Sequence, residues 1–174
     1  MLDLSRFGDA ETCLKHLARS RRELVGFVET LSDDDFFSSP AQGVWSAAEI
    51  LEHVLKVEES GGKIIRRLRK VARGEAELPP ELPAGETRPD GRPLSPALTE
   101  PKGGLSRGEL MAGLEACRTR LIAEVHQSGA LIDQPPSYAH PFFRELTALG
   151  WLQSLVFHER HHLEQLRERF PKAF

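Results

Sequence analysis

The segment running from Trp151 to Phe170, WLQSLVFHERHHLEQLRERF, decides the fold of this chain. Its apolar residues recur at helical spacing. With Leu155 at zero and ~100° per residue, Trp151, Leu152, Leu163, Leu166 and Phe170 fall between about −40° and +80°. That stripe predicts one long amphipathic helix with one buried face. Three of the chain's seven histidines lie in it. His162 falls at about −20°, inside the stripe, His158 at about −60°, on its edge, and His161 at about −120°, pointing away. Glu159 falls at about +40°, among the leucines, where an unpaired carboxylate is costly to bury. A metal-ligand network or a buried arginine would hold it there.

Two imidazoles four residues apart on a helix stand roughly 6 Å apart at Cβ, so both can meet one ion at about 2.0–2.1 Å. An isolated H-x-x-x-H more often marks core or boundary histidines, but the buried acid and a third histidine elsewhere favour a metal centre. That third residue is His53. With Ile50 at zero it falls at about −60°, on the edge of another apolar stripe.

The other helices are read outward from this one. Residues 9–31 form a first helix with Leu14, Leu17, Ala18, Arg21, Leu24, Val25 and Val28 on one face, and His16 on the opposite, solvated side. SDDDFFSSPAQGVWS is a connector; its acids lack the glycine and distal glutamate of a calcium loop. Ser46 and Glu49 form an S-x-x-E capping box that starts a second helix running to about Val71. Ser106 and Glu109 start a third, to about Gln127, with Leu110, Leu114, Cys117, Leu121 and Val125 as its stripe. Between them, residues 74–104 hold seven of the twelve prolines and no helical period. A connection this long can cross the whole length of a bundle, or fold over one end as a lid. His140, before Pro141, sits in the loop leading to the last helix, near the expected mouth of the site. Without useful strand alternation, four amphipathic helices make an all-α four-helix bundle.

Composition bounds the rest. At 174 residues the chain is expected to form one domain, 1–174, and 40% hydrophobic with 28% charged residues fits a globular protein. A net charge of −3 argues against a nucleic-acid partner. No apolar run approaches the ~20 residues of a membrane span, and the start has no signal-peptide core. Cys13 and Cys117 are too few for a disulfide framework and read as small core residues, which fits a cytoplasmic protein.

Three neutral imidazoles, His53, His158 and His162, would hold a divalent ion with coordination positions open, and imidazole suits zinc, nickel, iron or copper alike. Such a site can activate water, a thiolate or a carbonyl oxygen. Glu159 would then act beside a ligand histidine, as a proton carrier, or as an arginine's partner. His158-Glu159-Arg160-His161-His162 also spells H-E-x-x-H, the zinc-protease helix. Only twelve residues follow His162, Gln165 and Glu168 stand where the extended motif needs glycine and histidine, and a protease base must face an open cleft. A peptidase is therefore rejected. A dinuclear carboxylate site is rejected too, because the chain lacks paired E-x-x-H motifs.

Two blocks resemble a known family. VWSAAEILEHVLKVEE, with Trp45 and Ser46 opening a helix that carries His53, and HPFFRELTALGWLQSLVFHERHHLEQL, with its H-P-F and H-x-x-x-H-x-x-Q, are similar to the DinB-like (DinB/YfiT) superfamily. Together they cover about a quarter of the chain. The resemblance implies an up-down-down-up bundle, for which the 74–104 crossover makes sense, and His53, His158 and His162 as ligands, usually to zinc or nickel. It also implies a frequent homodimer and, in some members, transferase chemistry in which the ion activates a low-molecular-weight thiol toward a small electrophile. A non-catalytic metal- or ligand-binding bundle is the competing expectation.

Overall fold

The computed structural model describes residues 3–89, 91 and 93–171. Helices α1 (Ala10–Glu29), α2 (Asp33–Phe37), α3 (Ala47–Ala72), α4 (Arg107–Ser128) and α5 (Ala148–Arg169) account for most of it, with one small hairpin, β1 (Tyr138–His140) and β2 (Arg144–Leu146). The long helices start where the sequence supplies a side-chain acceptor. Asp9 and Thr147 cap α1 and α5, and both predicted capping boxes form, Ser46 with Glu49 on α3 and Ser106 with Glu109 on α4.

Side-chain contacts fix the helix directions. Gly8, just ahead of α1, and then Ser20 and Glu23 along it meet Gln153, Glu159 and Arg167 in turn, so α1 and α5 run parallel. Along α3, Glu58, Arg69 and Arg73 meet Arg118, Glu124 and Gln127, so α3 and α4 run parallel as well. His53 meets His158 and His162 whereas Gly61 lies against Leu155, so α3 opposes α5. The bundle is up-down-down-up. Because α3 and α4 point the same way, the chain between them must return the length of α3, ~39 Å for its 26 residues. The proline-rich segment does so across the outside.

The core is two apolar clusters. One gathers Leu17, Ile65, Leu68, Leu121, Trp151, Leu152 and Leu155; the other gathers Leu24, Phe27, Phe36, Ile50, Val54, Leu110, Leu114, Leu163 and Leu166. Between them in sequence, each long helix contributes one charged side chain: Arg21, Glu58, Arg118 and Glu159. Arg21 reaches Glu58 at 2.6 Å and Glu159 at 2.6 Å; Arg118 reaches the same two carboxylates at 2.8 and 2.9 Å. The remaining guanidinium nitrogens donate to the backbone carbonyls of Leu114 and Leu17, 2.7 Å each. Two positive and two negative groups thus cancel with their donors used, which makes burial tolerable.

Three local expectations change. The acidic connector contains a five-residue helix, α2, because Ser32 caps it and Asp33, Asp34 and Asp35 occupy its positive first turn. The segment 138–146, expected as loop, closes as a hairpin whose turn places Arg144 at φ 64°. His16 is half-buried against the Phe7 ring, centroids 6.3 Å apart, because the short 3-10 turn at Leu4–Phe7 folds back over α1.

Candidate metal centre

The three histidines come together. His53 arrives two turns into α3, and His158 and His162 stand one turn apart on α5. Nε2 of His158 lies 2.9 Å from Nε2 of His53 and 3.2 Å from Nε2 of His162, and one ligand atom from each residue falls within 4.8 Å of the others. A tetrahedral ion with ~2.0–2.1 Å bonds separates its ligand nitrogens by about 3.3 Å, so these rings sit close to the spacing an ion requires.

The outer nitrogens settle which atoms carry protons. His53 Nδ1–H donates to the Thr99 carbonyl at 2.8 Å, and His162 Nδ1–H donates to Gln165 Oε1 at 2.9 Å. In a neutral imidazole one nitrogen donates and the other accepts, so Nε2 of both rings presents a lone pair to His158. The His158 Nε2 has at most one proton, so at least one of its two contacts sets lone pair against lone pair. A shared cation removes that conflict, and the donor set fits a divalent ion with a preference for nitrogen ligands. Burial favours the neutral rings this needs. It lowers the pKa of His53, holds that of His162 down at about 3, and pushes His158 well below the usual imidazole range, with the neighbouring His162 and His53 adding to the last effect.

One aromatic ring lies directly on the cluster, and others gather around His140. Trp45 packs on His53 with centroids 4.9 Å apart. His140, in β1, packs against Trp151 at 4.5 Å and Phe143 at 4.9 Å. Its Nδ1 accepts from the Phe142 amide at 3.1 Å, which leaves the ring proton on Nε2, and burial lowers its pKa to about 4. A charge on His140 would be felt at His158. His161 points away from the triad's centre and stacks on Phe157.

Glu159 is brought elsewhere. Its carboxylate accepts from Ser20, Arg21 and Arg118, and among the described residues none of its hydrogen bonds reaches an imidazole. Arg118 and Glu58, its network partners, were not singled out from sequence, although both lie at stripe positions: Arg118 is four residues after Leu114, and Glu58 is four after Val54. The cysteines match their sequence reading. Cys13 and Cys117 are buried, and burial pushes both thiols up to about 11.

A family model for the DinB superfamily matches residues 16–166, which includes all three histidines. The chain belongs to the DinB superfamily. It is 27% identical over 150 residues to the uncharacterised protein YuaE of Bacillus subtilis, covering 86% of this chain and 91% of that one. Among solved structures it is similar to TT2238, a four-helix bundle protein, at 28% identity and a TM-score of 0.68, over 91% of this chain and 98% of that one. A DinB-like protein of Bacillus subtilis, YjoA, shares the fold at 17% identity and a TM-score of 0.57, over 92% and 90% of the two chains. DinB membership and the three-histidine cluster are together compatible with metal binding. Among the described residues no helix is long and apolar enough to cross a membrane.

Proposed function

We propose that this DinB-superfamily protein is a mononuclear metal-dependent enzyme, a transferase or hydrolase that activates a low-molecular-weight thiol or water for attack on a small electrophile. The observation that supports it is the convergence of three neutral imidazoles on one point from two antiparallel helices. A divalent ion there, zinc or nickel, would supply Lewis acidity that lowers the pKa of a thiol or water.

The protein's own residues supply the rest. Thr99 and Gln165 hold two rings in the tautomer that offers Nε2. Trp45, packed on the His53 ring, shields that side of the centre from water, which strengthens electrostatic interactions there. His140 carries its proton on Nε2, and we assign that N–H as a donor to the reacting sulfur or oxygen. Glu159 takes a supporting role through α5 instead of carrying a proton, because its oxygens already accept from two guanidiniums and a hydroxyl.

The test is metal content by mass spectrometry on untagged protein, wild type beside His162→Ala and His161→Ala. About one equivalent, kept in His161→Ala and lost in His162→Ala, supports the ligand face. Consumption of a thiol with an epoxide or haloalkyl electrophile then separates enzyme from metal-binding protein. Equal loss in both variants, or no metal after reconstitution, sinks the reading.

A further inference from the structure

The bundle holds the three ligands, but the group that orients His53 comes from outside it. Thr99 lies in the crossover between α3 and α4, a segment with little regular structure of its own. A loop of that length placing one carbonyl at 2.8 Å from an imidazole needs an anchor close by. The structure supplies one on the residue next to His53. Glu52 is 4% exposed, and its two carboxylate oxygens accept from consecutive amides of the crossover, Lys102 N–H at 3.0 Å and Gly103 N–H at 2.8 Å. Gly103 sits at φ 72°, a left-handed conformation that glycine adopts without strain. Lys56, one turn along α3, pairs with Glu52 at 2.6 Å and donates to the Glu100 carbonyl at 2.8 Å.

We propose that Glu52 is a positioning residue of the metal centre, which ties the end of the crossover to α3 and thereby sets the Thr99 carbonyl on His53. This rests on the metal reading above. Neighbouring side chains on a helix project ~100° apart, so a strap that touches both Glu52 and His53 is fixed in two directions. The turn that carries Thr99, just ahead of the anchored amides, is pinned as well: Thr99 N–H and Oγ1 and Glu100 N–H all donate to the Pro96 carbonyl. Ser95 Oγ lies 3.1 Å from Thr99 Oγ1 and 3.4 Å from His53 Nδ1, closing the same side. The anchor thus acts on the tautomer and the plane of the ring. Linkage is reciprocal, so an ion held by His53 in turn orders the strap.

The experiment is Zn(II) affinity by competition with a chromophoric chelator, on wild type, Glu52→Gln, Glu52→Asp and Lys63→Ala, with the unfolding midpoint of each metal-free protein measured alongside. Glu52→Gln loses the paired acceptors and is expected to bind Zn(II) 10–100-fold more weakly while folded, the usual cost of an outer partner of a ligand histidine. Glu52→Asp, shorter by one methylene, keeps the charge but not the reach; it shows the same direction and carries the test if Glu52→Gln does not fold. Lys63→Ala, which removes an exposed charge on α3 away from the crossover, keeps wild-type Zn(II) affinity. Zn(II) also protects residues 95–103 from proteolysis in wild type and not in Glu52→Gln. Unchanged affinity in folded Glu52→Gln or Glu52→Asp overturns the proposal, as does an equal loss in Lys63→Ala. No Zn(II) binding by wild type, or binding that survives His162→Ala, overturns the metal reading itself.

Discussion

Two buried polar clusters share α3 and α5, and they answer burial in opposite ways. The Arg21–Glu58–Arg118–Glu159 tetrad closes on itself: its charges cancel, and its spare donors end on backbone carbonyls. The His53–His158–His162 triad turns its outer nitrogens of His53 and His162 to acceptors and aims its inner lone pairs at one another. A self-satisfied cluster is architecture, because nothing further is needed to stabilise it. A cluster that converges three ring nitrogens with at most one proton among them is left short of a donor, which a cation could supply. Both are equally hidden from water, so burial alone does not separate them; the balance of donors and acceptors does.

The largest expected effect falls on the tetrad. Arg118→Ala leaves Glu58 and Glu159 with one guanidinium between them, and removing one partner of a buried pair typically costs about 3–5 kcal/mol. Denaturant unfolding of the metal-free protein should show a loss of that size. Metal content per folded molecule should stay at the wild-type value, since no tetrad residue is a ligand. Loss of metal from folded Arg118→Ala would mean the two clusters are one unit.

A smaller effect comes from acid. His140 has its pKa lowered to about 4 by burial, against roughly 6.5 when unfolded. Between these values the unfolded chain takes up a proton that the folded one refuses. Stability is therefore full above the unfolded value and falls as the pH drops toward the folded one, by about 1–3 kcal/mol for this residue. His140→Asn keeps an acceptor for the Phe142 amide and cannot titrate. Unfolding of metal-free wild type and His140→Asn across that pH window should show a difference that grows as the pH falls. Parallel curves would show that His140 is not shielded from water.

What was legible in the sequence follows from which forces are local. The long helices were, because the 3.6-residue period and the Ser46 and Ser106 boxes are written within a few residues of where they act. The convergence of the triad was, because two of its histidines lie one turn apart and the third on another stripe edge. The tetrad was half legible: Arg21 and Glu159 stood out in apolar stripes. Arg118 and Glu58, although at stripe positions, gain their meaning only from contacts between α1, α3, α4 and α5 that no local pattern announces. The hairpin was not legible, since strands of three residues carry no alternation and its shape comes from packing on Trp151. Nor was the partner of His53 Nδ1, a backbone carbonyl whose identity no side chain announces.

The smallest test separates the clusters along one helix. Ser46 caps α3 by accepting the Glu49 amide, while Glu49 accepts the Ser46 amide in return. Ser46→Ala should cost about 1 kcal/mol, but only over the first turns, because a missing cap frays an end. His53 lies within that reach, and Glu58 lies more than one turn further in. Hydrogen exchange of the metal-free variant should show protection lowered roughly fivefold at the Leu51–His53 amides and unchanged around Glu58. Added Zn(II) should restore it, since an ion bound by His53 ties the frayed end to α5. Protection falling equally at both levels would mean that α3 opens as a single piece, and that two clusters distinct in chemistry stand or fall together.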